Sequence, residues 1–342
     1  MSLPTRPLGR TKIPVTTIGF GAVPIGDLYD RLDEATAIGA AVAALEAGIN
    51  LLDTSPLYGH GLSEARCGSA LRQVGRANVK REDVVLCTKV GRWMNPRGDR
   101  GNGSGYLGGL PHQANLDYSY DGTLRSVEQS LLRLGTDRID ILLIHDVDVW
   151  THGKDAIEQR FSEAMNGAYK ALDRLRADGT VKAIGVGINE ADMCVRFANA
   201  GDFDTMLLAG RYSLLEQPAI DEFLPLALKK GIGVMLGGVF NSGILASGPI
   251  AGAKYNYGPA PAEILAKVGR IEAVCQSHGV PLATAALQFA LGHPAVASVV
   301  LGAANAEEVA RNLKGMSVVI PPGLWSDLKA ESLLGADVPV PE

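Results

Sequence analysis

Four side chains capable of acid–base chemistry stand at, or just beyond, the ends of apolar runs in the first half of the chain. Asp53 closes the run N-L-L-D, and Tyr58 follows it in the turn T-S-P-L-Y-G-H-G. Lys89 closes D-V-V-L-C-T-K, and His145 closes D-I-L-L-I-H. A tyrosine exchanges its proton near neutral pH only if a nearby cation stabilises the phenolate, and a buried carboxylate needs a cation as well. These residue types therefore predict a proton-transfer site at the ends of neighbouring strands.

The elements that must position these residues alternate between strand-like and helical patterns. Unbroken runs such as V-V-L and I-L-L-I predict strands buried on both faces, which is typical of parallel sheets. Strands are predicted over residues 17–23, 49–53, 84–89, 140–145, 181–187, 205–209, 233–236 and 297–301, and helices over 34–46, 64–74, 120–134, 157–177, 191–200, 219–230, 262–277, 281–291 and 305–313. Eight strand–helix units favour an α/β fold of the closed (β/α)₈ TIM-barrel type, although an open doubly wound sheet alternates in the same way. No linker interrupts the pattern, so residues 1–342 are predicted to form one domain, with a β-hairpin over residues 6–16 that plugs one end.

Three motifs in order resemble the aldo-keto reductase superfamily: L-L-D-T-S-P-L-Y-G-x-G-x-S-E, C-T-K-V-G and I-D-I-L-L-I-H-D. The resemblance implies a barrel with a C-terminal helical extension and a catalytic tetrad of Asp53, Tyr58, Lys89 and His145. In this arrangement Lys89 stabilises the Tyr58 phenolate, Asp53 keeps Lys89 charged, and His145 donates to the substrate oxygen. The alternative is a buried Asp–Lys pair that only ties two strands together, with Tyr58 as an aromatic residue at the rim.

Two further segments narrow the resemblance and the function that it implies. Residues 117–135, D-Y-S-Y-D-G-T-L-R-S-V-E-Q-S-L-L-R-L-G, and the later R-Y-S-L-L-E-Q resemble a bacterial branch of aldose 1-dehydrogenases and pyridoxal 4-dehydrogenases. The implied enzyme is an NAD(P)-dependent dehydrogenase that oxidises a cyclic hemiacetal, such as L-fucose, D-arabinose or galactose, at C1 to the lactone. Oxidation of pyridoxal to 4-pyridoxolactone, or general reduction of aldehydes and ketones, is the alternative. A regulatory protein that binds the cofactor without turnover would not need the intact tetrad.

The cofactor must be held without a Rossmann fingerprint, because no G-x-G-x-x-G follows a predicted strand. The resemblance implies contacts with the carboxamide, the nicotinamide face, the pyrophosphate and the adenosine, made by Asn189, Tyr212, Gly238, Ser242, Gly243, Gly302, Glu308 and Asn312. Asn189 as a helix cap and Tyr212 as a core aromatic are the alternatives. Since the stretch 302–308 has no Lys or Arg for a 2′-phosphate, NAD is the preferred cofactor and NADP the alternative.

A long glycine-rich segment, residues 91–115, follows the strand that carries Lys89. It contains Trp93 and Tyr106, whose rings suit a sugar or a pyridine, and we expect it to be a substrate lid. The alternative is a disordered surface loop. Loops at the carboxyl ends of barrel strands build the pocket, which favours the lid.

Composition limits the class of partner. The 342 residues carry a formal net charge of −5 without a basic cluster, which argues against nucleic-acid and anionic-membrane surfaces. Four widely spaced cysteines fit a reducing compartment, and no apolar stretch is long enough to span a membrane. We expect a cytoplasmic monomer or homodimer that acts on a small-molecule substrate. The segment H-D-V-D-V-W-T-H is compatible with a metal-dependent hydrolase, but the first strand supplies no ligand, so no metal site is predicted.

Overall fold

The computed structural model describes residues 3–77, 79–99 and 105–341, in which eight parallel strands close into a barrel. In chain order the strands are β1 (Ile18–Gly21), β2 (Leu51–Asp53), β3 (Val85–Val90), β4 (Ile141–His145), β5 (Ala183–Ile188), β6 (Thr205–Ala209), β7 (Gly233–Gly237) and β8 (Val296–Gly302). Each strand pairs with its neighbour in sequence, and β8 pairs with β1 to complete the ring. The predicted (β/α)₈ barrel is confirmed.

The barrel interior is filled by apolar side chains from alternate positions of the strands. This inner cluster includes Leu51, Val85, Ile141, Leu143, Leu207 and Met235, all buried. The opposite faces of the strands pack against the surrounding helices, which explains why the strands read as continuous apolar runs. Polar side chains at the carboxyl ends of the strands are therefore the groups that meet at the mouth of the barrel.

Helices surround the barrel at nearly the predicted positions. They span Glu34–Glu46, Leu62–Arg76, Tyr120–Leu134, Val149–Glu163, Tyr169–Ala177, Ala191–Ala200, Phe223–Lys230, Ile244–Ser247, Ala262–Ser277, Leu282–Phe289, Ala306–Met316 and Pro322–Ala330. Side chains cap several of their amino termini, as when Asp33 accepts the N–H of Thr36. Pro322–Ala330 forms the expected C-terminal helical extension. In the described part of the chain, none of these helices combines the length and apolarity needed to cross a bilayer.

A hairpin before β1 closes the amino-terminal end of the barrel. Its strands, Thr5–Pro7 and Pro14–Thr16, pair antiparallel around a turn at Gly9–Thr11, as predicted. Leu8 and Val15 from this hairpin are buried in the inner cluster. Because the hairpin closes this end, we expect the active site at the open mouth, at the carboxyl ends of the strands.

Two elements differ from the sequence-based prediction. The helical stretch expected to begin at Ile157 extends back to Val149, where Asp148 caps an additional first turn, but Gly153 has non-helical angles (φ 74°, ψ 162°) and separates this turn from the helix that contains Ile157. The segment after β3 contains a two-stranded ribbon, Arg92–Asn95 with Gln113–Leu116, which the glycine content obscured. The Gln129 side chain holds this ribbon by bonding to both the N–H and the carbonyl of Met94 (2.8 and 3.0 Å).

Candidate active site

A buried ion pair joins the ends of β2 and β3. The Lys89 ammonium donates to both Asp53 carboxylate oxygens (2.9 Å each) and to the Thr54 carbonyl (2.8 Å), which uses its three donors. Asp53 is 2% exposed and Lys89 is 1% exposed. A glycine on β5 leaves room for the lysine, since a Cβ on Gly187 would lie 3.3 Å from Lys89 Cε. The predicted Asp53–Lys89 pair is therefore present, and it holds two opposite charges in place at the barrel mouth.

Tyr58 lies over this ion pair on the loop after β2. Its ring centroid is 4.8 Å from Lys89 Nζ, and its ring meets that of His145 edge-on at 5.7 Å. Burial, followed by the charges of Asp53 and Asp146, raises the pKa of the Tyr58 phenol well above 10. Proximity to Lys89 was expected to favour the phenolate, but the lysine directs its donors to Asp53 and Thr54. The free protein therefore holds the phenol protonated at neutral pH.

His145 ends β4 and is held as a neutral imidazole. Burial, with the nearby charges of Lys89 and Arg92, keeps its pKa well below 6.5. Its Nδ1 lies 3.1 Å from Ser55 Oγ, and that oxygen already accepts the Leu57 N–H (3.1 Å). The Ser55 hydroxyl can therefore donate to Nδ1, which leaves the ring proton on Nε2 as a donor. Sequence reasoning missed Ser55, although it lies inside the D-T-S motif.

The two aromatic residues of the glycine-rich segment occupy different places. The Tyr106 ring lies 6.4 Å from that of Tyr58, so Tyr106 lines the site. The Trp93 ring packs instead against the Arg125 guanidinium, at 4.7 Å, on the helix Tyr120–Leu134. Residues 100–104, in the centre of the proposed lid, lie outside the described residues.

The end of this segment rests on loops that follow β1 and β2. The Leu107 N–H donates to the Asp27 carbonyl, and the Leu110 N–H donates to the Gly59 carbonyl, both at 2.9 Å. These contacts hold residues 105–110 against the loop that carries Tyr58. For residues 105–110, these hydrogen bonds argue against the alternative of a disordered surface loop.

A groove at the carboxyl ends of β5, β6 and β7 could hold a dinucleotide. Its lining includes Trp150, Asn189, Gly210, Arg211, Gly238 and Ser242, so three of the residues predicted to contact the cofactor meet there. The Asn189 backbone and side-chain N–H groups both donate to Asp148 (2.8 and 3.0 Å). Glu190 occupies the cap position of the helix that begins at Ala191, so the alternative role of Asn189 as its cap is wrong. Sequence reasoning missed Arg211, which supplies a cation to the groove.

The loop after β7 is a series of tight turns. Gly238, Asn241, Ser242 and Gly243 all have left-handed φ angles (62°, 45°, 59° and 99°). The Asn241 and Gly243 N–H groups donate to the Gly238 and Phe240 carbonyls (2.9 and 3.0 Å), so these two N–H groups stabilise the turns themselves. The Ser242 hydroxyl oxygen accepts the Tyr257 N–H at 2.9 Å, which ties this loop to the hairpin Lys254–Pro259.

Tyr212 does not present a face to this groove. It is 1% exposed and stacks on Phe289, with ring centroids 5.3 Å apart, while His293 packs edge-on at 5.9 Å. The prediction that Tyr212 stacks on nicotinamide is therefore wrong, and the alternative of a core aromatic is correct. The physical reason is that the ring, flanked by the leucines of R-Y-S-L-L, is buried by packing against apolar side chains of the surrounding helices.

The predicted adenosine contacts lie at the end of β8 and on the following helix. Gly302 is exposed at the strand end, and Asn312 is half-buried on Ala306–Met316. Glu308 forms a capping box: its carboxylate accepts the Ala304 N–H (2.8 Å), and its own N–H donates to the Asn305 side chain (2.9 Å). This geometry holds the Glu308 carboxylate at the amino terminus of the helix, against the backbone of Ala304.

The candidate metal ligands after β4 have other partners. Asp146 pairs with Arg92 (3.0 Å), Asp148 caps a helix and holds Asn189, and His152 lies 3.1 Å from the Tyr118 hydroxyl. Among the residues that the structure describes, no group of three His, Cys, Asp or Glu side chains has metal-binding geometry.

The barrel and the tetrad at its mouth define an oxidoreductase, and the chain belongs to the Aldo/keto reductase family, which it matches over residues 17–330. Members act on CH–OH or carbonyl groups with nicotinamide cofactors. The chain is 40% identical to pyridoxal 4-dehydrogenase of Microbacterium luteolum (96% of this chain, 97% of the relative) and 37% identical to D-threo-aldose 1-dehydrogenase of a Pseudomonas species (94% and 95%). Its fold is similar to the holo form of an aldo-keto reductase from Bacillus halodurans (TM-score 0.74, 25% identity, 98% of both chains).

Proposed function

We propose that this enzyme oxidises a cyclic hemiacetal at C1 to the lactone, with NAD as the preferred cofactor. The observation that carries the proposal is the meeting of the Tyr58 ring with His145 edge-on at 5.7 Å above the buried Lys89–Asp53 pair. This arrangement supports a role for Tyr58 as the proton acceptor, once deprotonated, and for neutral His145 as the hydrogen-bond donor to the same substrate oxygen. An aldose such as L-fucose, D-arabinose or galactose is the first candidate, in keeping with the similarity to D-threo-aldose 1-dehydrogenase.

In this mechanism the chain's residues manage the proton of the anomeric hydroxyl. The neutral His145 donates from Nε2 to the substrate oxygen and orients it, while Tyr58 takes the hydroxyl proton as phenolate. A nicotinamide cofactor, when bound, would supply the acceptor for the hydride from C1. Because burial raises the pKa of Tyr58, little phenolate is present at neutral pH; its fraction increases as the pH rises, so oxidation is favoured under alkaline conditions.

Pyridoxal is the second candidate substrate, because the chain is 40% identical to a pyridoxal 4-dehydrogenase. Pyridoxal also exists as a cyclic hemiacetal, so the same proton transfer would give 4-pyridoxolactone. A general reduction of aldehydes or ketones would use the protonated Tyr58 as an acid instead.

The direct test is a panel of aldoses, pyridoxal and simple aldehydes with NAD and NADP, followed by nicotinamide absorbance. Wild type should form a lactone from an aldose or pyridoxal, whereas Tyr58→Phe serves as the matched blank. Reduction of simple aldehydes without any hemiacetal oxidation would contradict the proposal.

The preference for NAD rests on the charges around Glu308. A 2′-phosphate carries close to two negative charges and needs donors or cations to replace its hydration. Glu308 presents a carboxylate instead, and Arg311, one turn along the helix, lies 3.7 Å from that same carboxylate. Arg311 is largely exposed (72%), and Glu308 would compete with a phosphate for its guanidinium.

The cofactor test compares kcat/KM for NAD and NADP in wild type, Glu308→Arg and Glu307→Arg. The neighbouring Glu307 is exposed, so its substitution makes the same charge change without altering the capping box. Glu308→Arg should move the preference toward NADP much further than Glu307→Arg. A wild-type preference for NADP, or equal shifts in both variants, would mean that the 2′ position is recognised elsewhere.

A further inference from the structure

Asp146 follows the catalytic histidine directly and occupies an unusual backbone conformation. Its φ of 55° is left-handed, which costs free energy for a residue with a side chain, although Asp and Asn tolerate it better than most. The turn is held by the Asp146 N–H, which donates to the Gly187 carbonyl at 2.9 Å. Such strained positions concentrate at functional sites because the conformation aims a side chain.

The two oxygens of the Asp146 carboxylate have different surroundings. Oδ2 accepts a hydrogen bond from Arg92 Nη1 at 3.0 Å, and the two side chains are 15% and 12% exposed. Oδ1 lies 3.4 Å from His145 Nε2, longer than a good charge-assisted hydrogen bond. Arg92 therefore fixes the carboxylate in place and leaves Oδ1 facing the donor nitrogen of His145.

Three hydroxyl-bearing rings lie within the electrostatic reach of this carboxylate. After burial, the charge of Asp146 is among the causes that raise the pKa values of Tyr58, Tyr106 and Tyr257. The Tyr58 and Tyr106 rings lie 6.4 Å apart, and the Tyr58 ring meets that of His145 at 5.7 Å, so Asp146 follows a residue that borders the candidate substrate site. The pKa of Asp146 itself is raised by burial, while Arg92 opposes that change.

We propose that Asp146 determines specificity by accepting, through Oδ1, a hydrogen bond from the substrate hydroxyl on the carbon next to the reacting carbon. This inference rests on the proposed function. Oxygens on neighbouring carbons are separated by about one hydrogen-bond length, similar to the spacing between His145 Nε2 and Asp146 Oδ1. When the reacting oxygen meets Nε2, its neighbour comes within reach of Oδ1. The substrate class is therefore a hemiacetal with an adjacent hydroxyl, as in an aldose.

The sharpest variant is Asp146→Asn. Asn tolerates the left-handed backbone, and Arg92 will bind the amide oxygen, which leaves the NH₂ group at the position of Oδ1. An acceptor becomes a donor with little change in volume. A role limited to holding Arg92 would keep its hydrogen bond in this variant, so the substitution separates specificity from structure.

The experiment measures kcat/KM for an aldose and its 2-deoxy analogue in wild type and Asp146→Asn, with dinucleotide affinity as a check on folding. Asp146→Asn should lower kcat/KM for the aldose by about 10- to 100-fold and change that for the 2-deoxy sugar by less than about 3-fold. Wild type should itself prefer the aldose by a similar factor.

The possible failures are distinguishable. Equal losses for both sugars would show that Asp146 acts through His145 or the fold, and unchanged values for both would show that no hydroxyl is recognised. Either result would overturn the role of Asp146 and leave the dehydrogenase intact. If wild type oxidises neither the aldose nor its 2-deoxy analogue, this inference fails; the proposed function fails with it only if pyridoxal is not oxidised either.

Discussion

Replacing Lys89 by Met should separate the electrostatic role of the buried ion pair from its packing. Methionine keeps most of the aliphatic stem but removes the ammonium that makes three hydrogen bonds. Asp53 would then be a carboxylate at 2% exposure without its cation. Removing one partner of a buried pair costs about 3–5 kcal/mol of unfolding free energy, mostly because the remaining charge is unpaired.

The double variant Lys89→Met/Asp53→Asn gives the coupling between the two groups. Since both charges are then removed, its loss of stability should be smaller than the sum of the two single losses by at least about 2 kcal/mol. Lys182→Met is the matched control. Lys182 bonds Asp140 at 2.8 Å but is 57% exposed, so its loss should cost less than about 1 kcal/mol.

Urea denaturation at pH 7 gives the unfolding free energy of all five proteins, and turnover is measured on the same samples. Lys89→Met should also lower kcat by about 10²-fold and move the pH–rate profile further to the alkaline side. Additive losses in the single and double variants would refute the claim that Asp53 and Lys89 stabilise one another. A Lys89→Met variant with normal turnover would refute the role of the lysine in catalysis.

Three other predictions follow from the site and the core. Tyr58→Phe should lower kcat by at least about 10²-fold while dinucleotide affinity, measured by fluorescence titration, stays unchanged; near-normal turnover in the folded variant would exclude Tyr58 as the proton acceptor. Tyr106→Ala should raise KM for the substrate far more than for the dinucleotide, with the exposed Leu107→Ala as control; equal increases would place Tyr106 over the cofactor instead. Burial lowers the pKa of His293 from 6.5 to about 4, so the unfolded chain binds the extra proton and stability falls by up to about 3 kcal/mol as the pH drops through that window. His293→Asn keeps an acceptor for the Ala295 N–H and should flatten this loss in denaturation measured from pH 7 to 4; an unchanged slope would contradict it.

The proximity of the four tetrad residues was predictable, because each residue ends, or closely follows, a strand. The continuous apolar sequence of each strand indicates that the strand is buried. Asp53, Lys89 and His145 stand at the carboxyl ends of β2, β3 and β4, and consecutive parallel strands must bring those ends together. Functional residues at strand ends can therefore be inferred from the apolar runs that precede them. The alternation of strands and helices fits an open doubly wound sheet equally well, so the closed barrel was predictable only with the family resemblance.

Groups whose role depends on side-chain direction were not predictable. Tyr212 lies beyond a strand end, where periodicity no longer indicates a face, and its ring turned into the core. The ribbon Arg92–Asn95 with Gln113–Leu116 depends on bonds from Gln129, which is distant in sequence. From the sequence, Asp146 was only part of the possible metal-ligand segment H-D-V-D-V-W-T-H, because neither its left-handed φ nor its bond to Arg92 can be inferred from residue types.

The seam between β8 and β1 has a consequence for how the protein is made. Val299 pairs with Ile18, and the hairpin residue Arg6 donates to the carbonyls of Leu291 and Val296, so the first and last parts of the barrel hold each other. During synthesis, one edge of β1 stays unpaired until β8 has been made. Unpaired strand edges promote association between chains. Chains that terminate before residue 296 should therefore aggregate, whereas loss of the residues after 334 should leave the ring able to close.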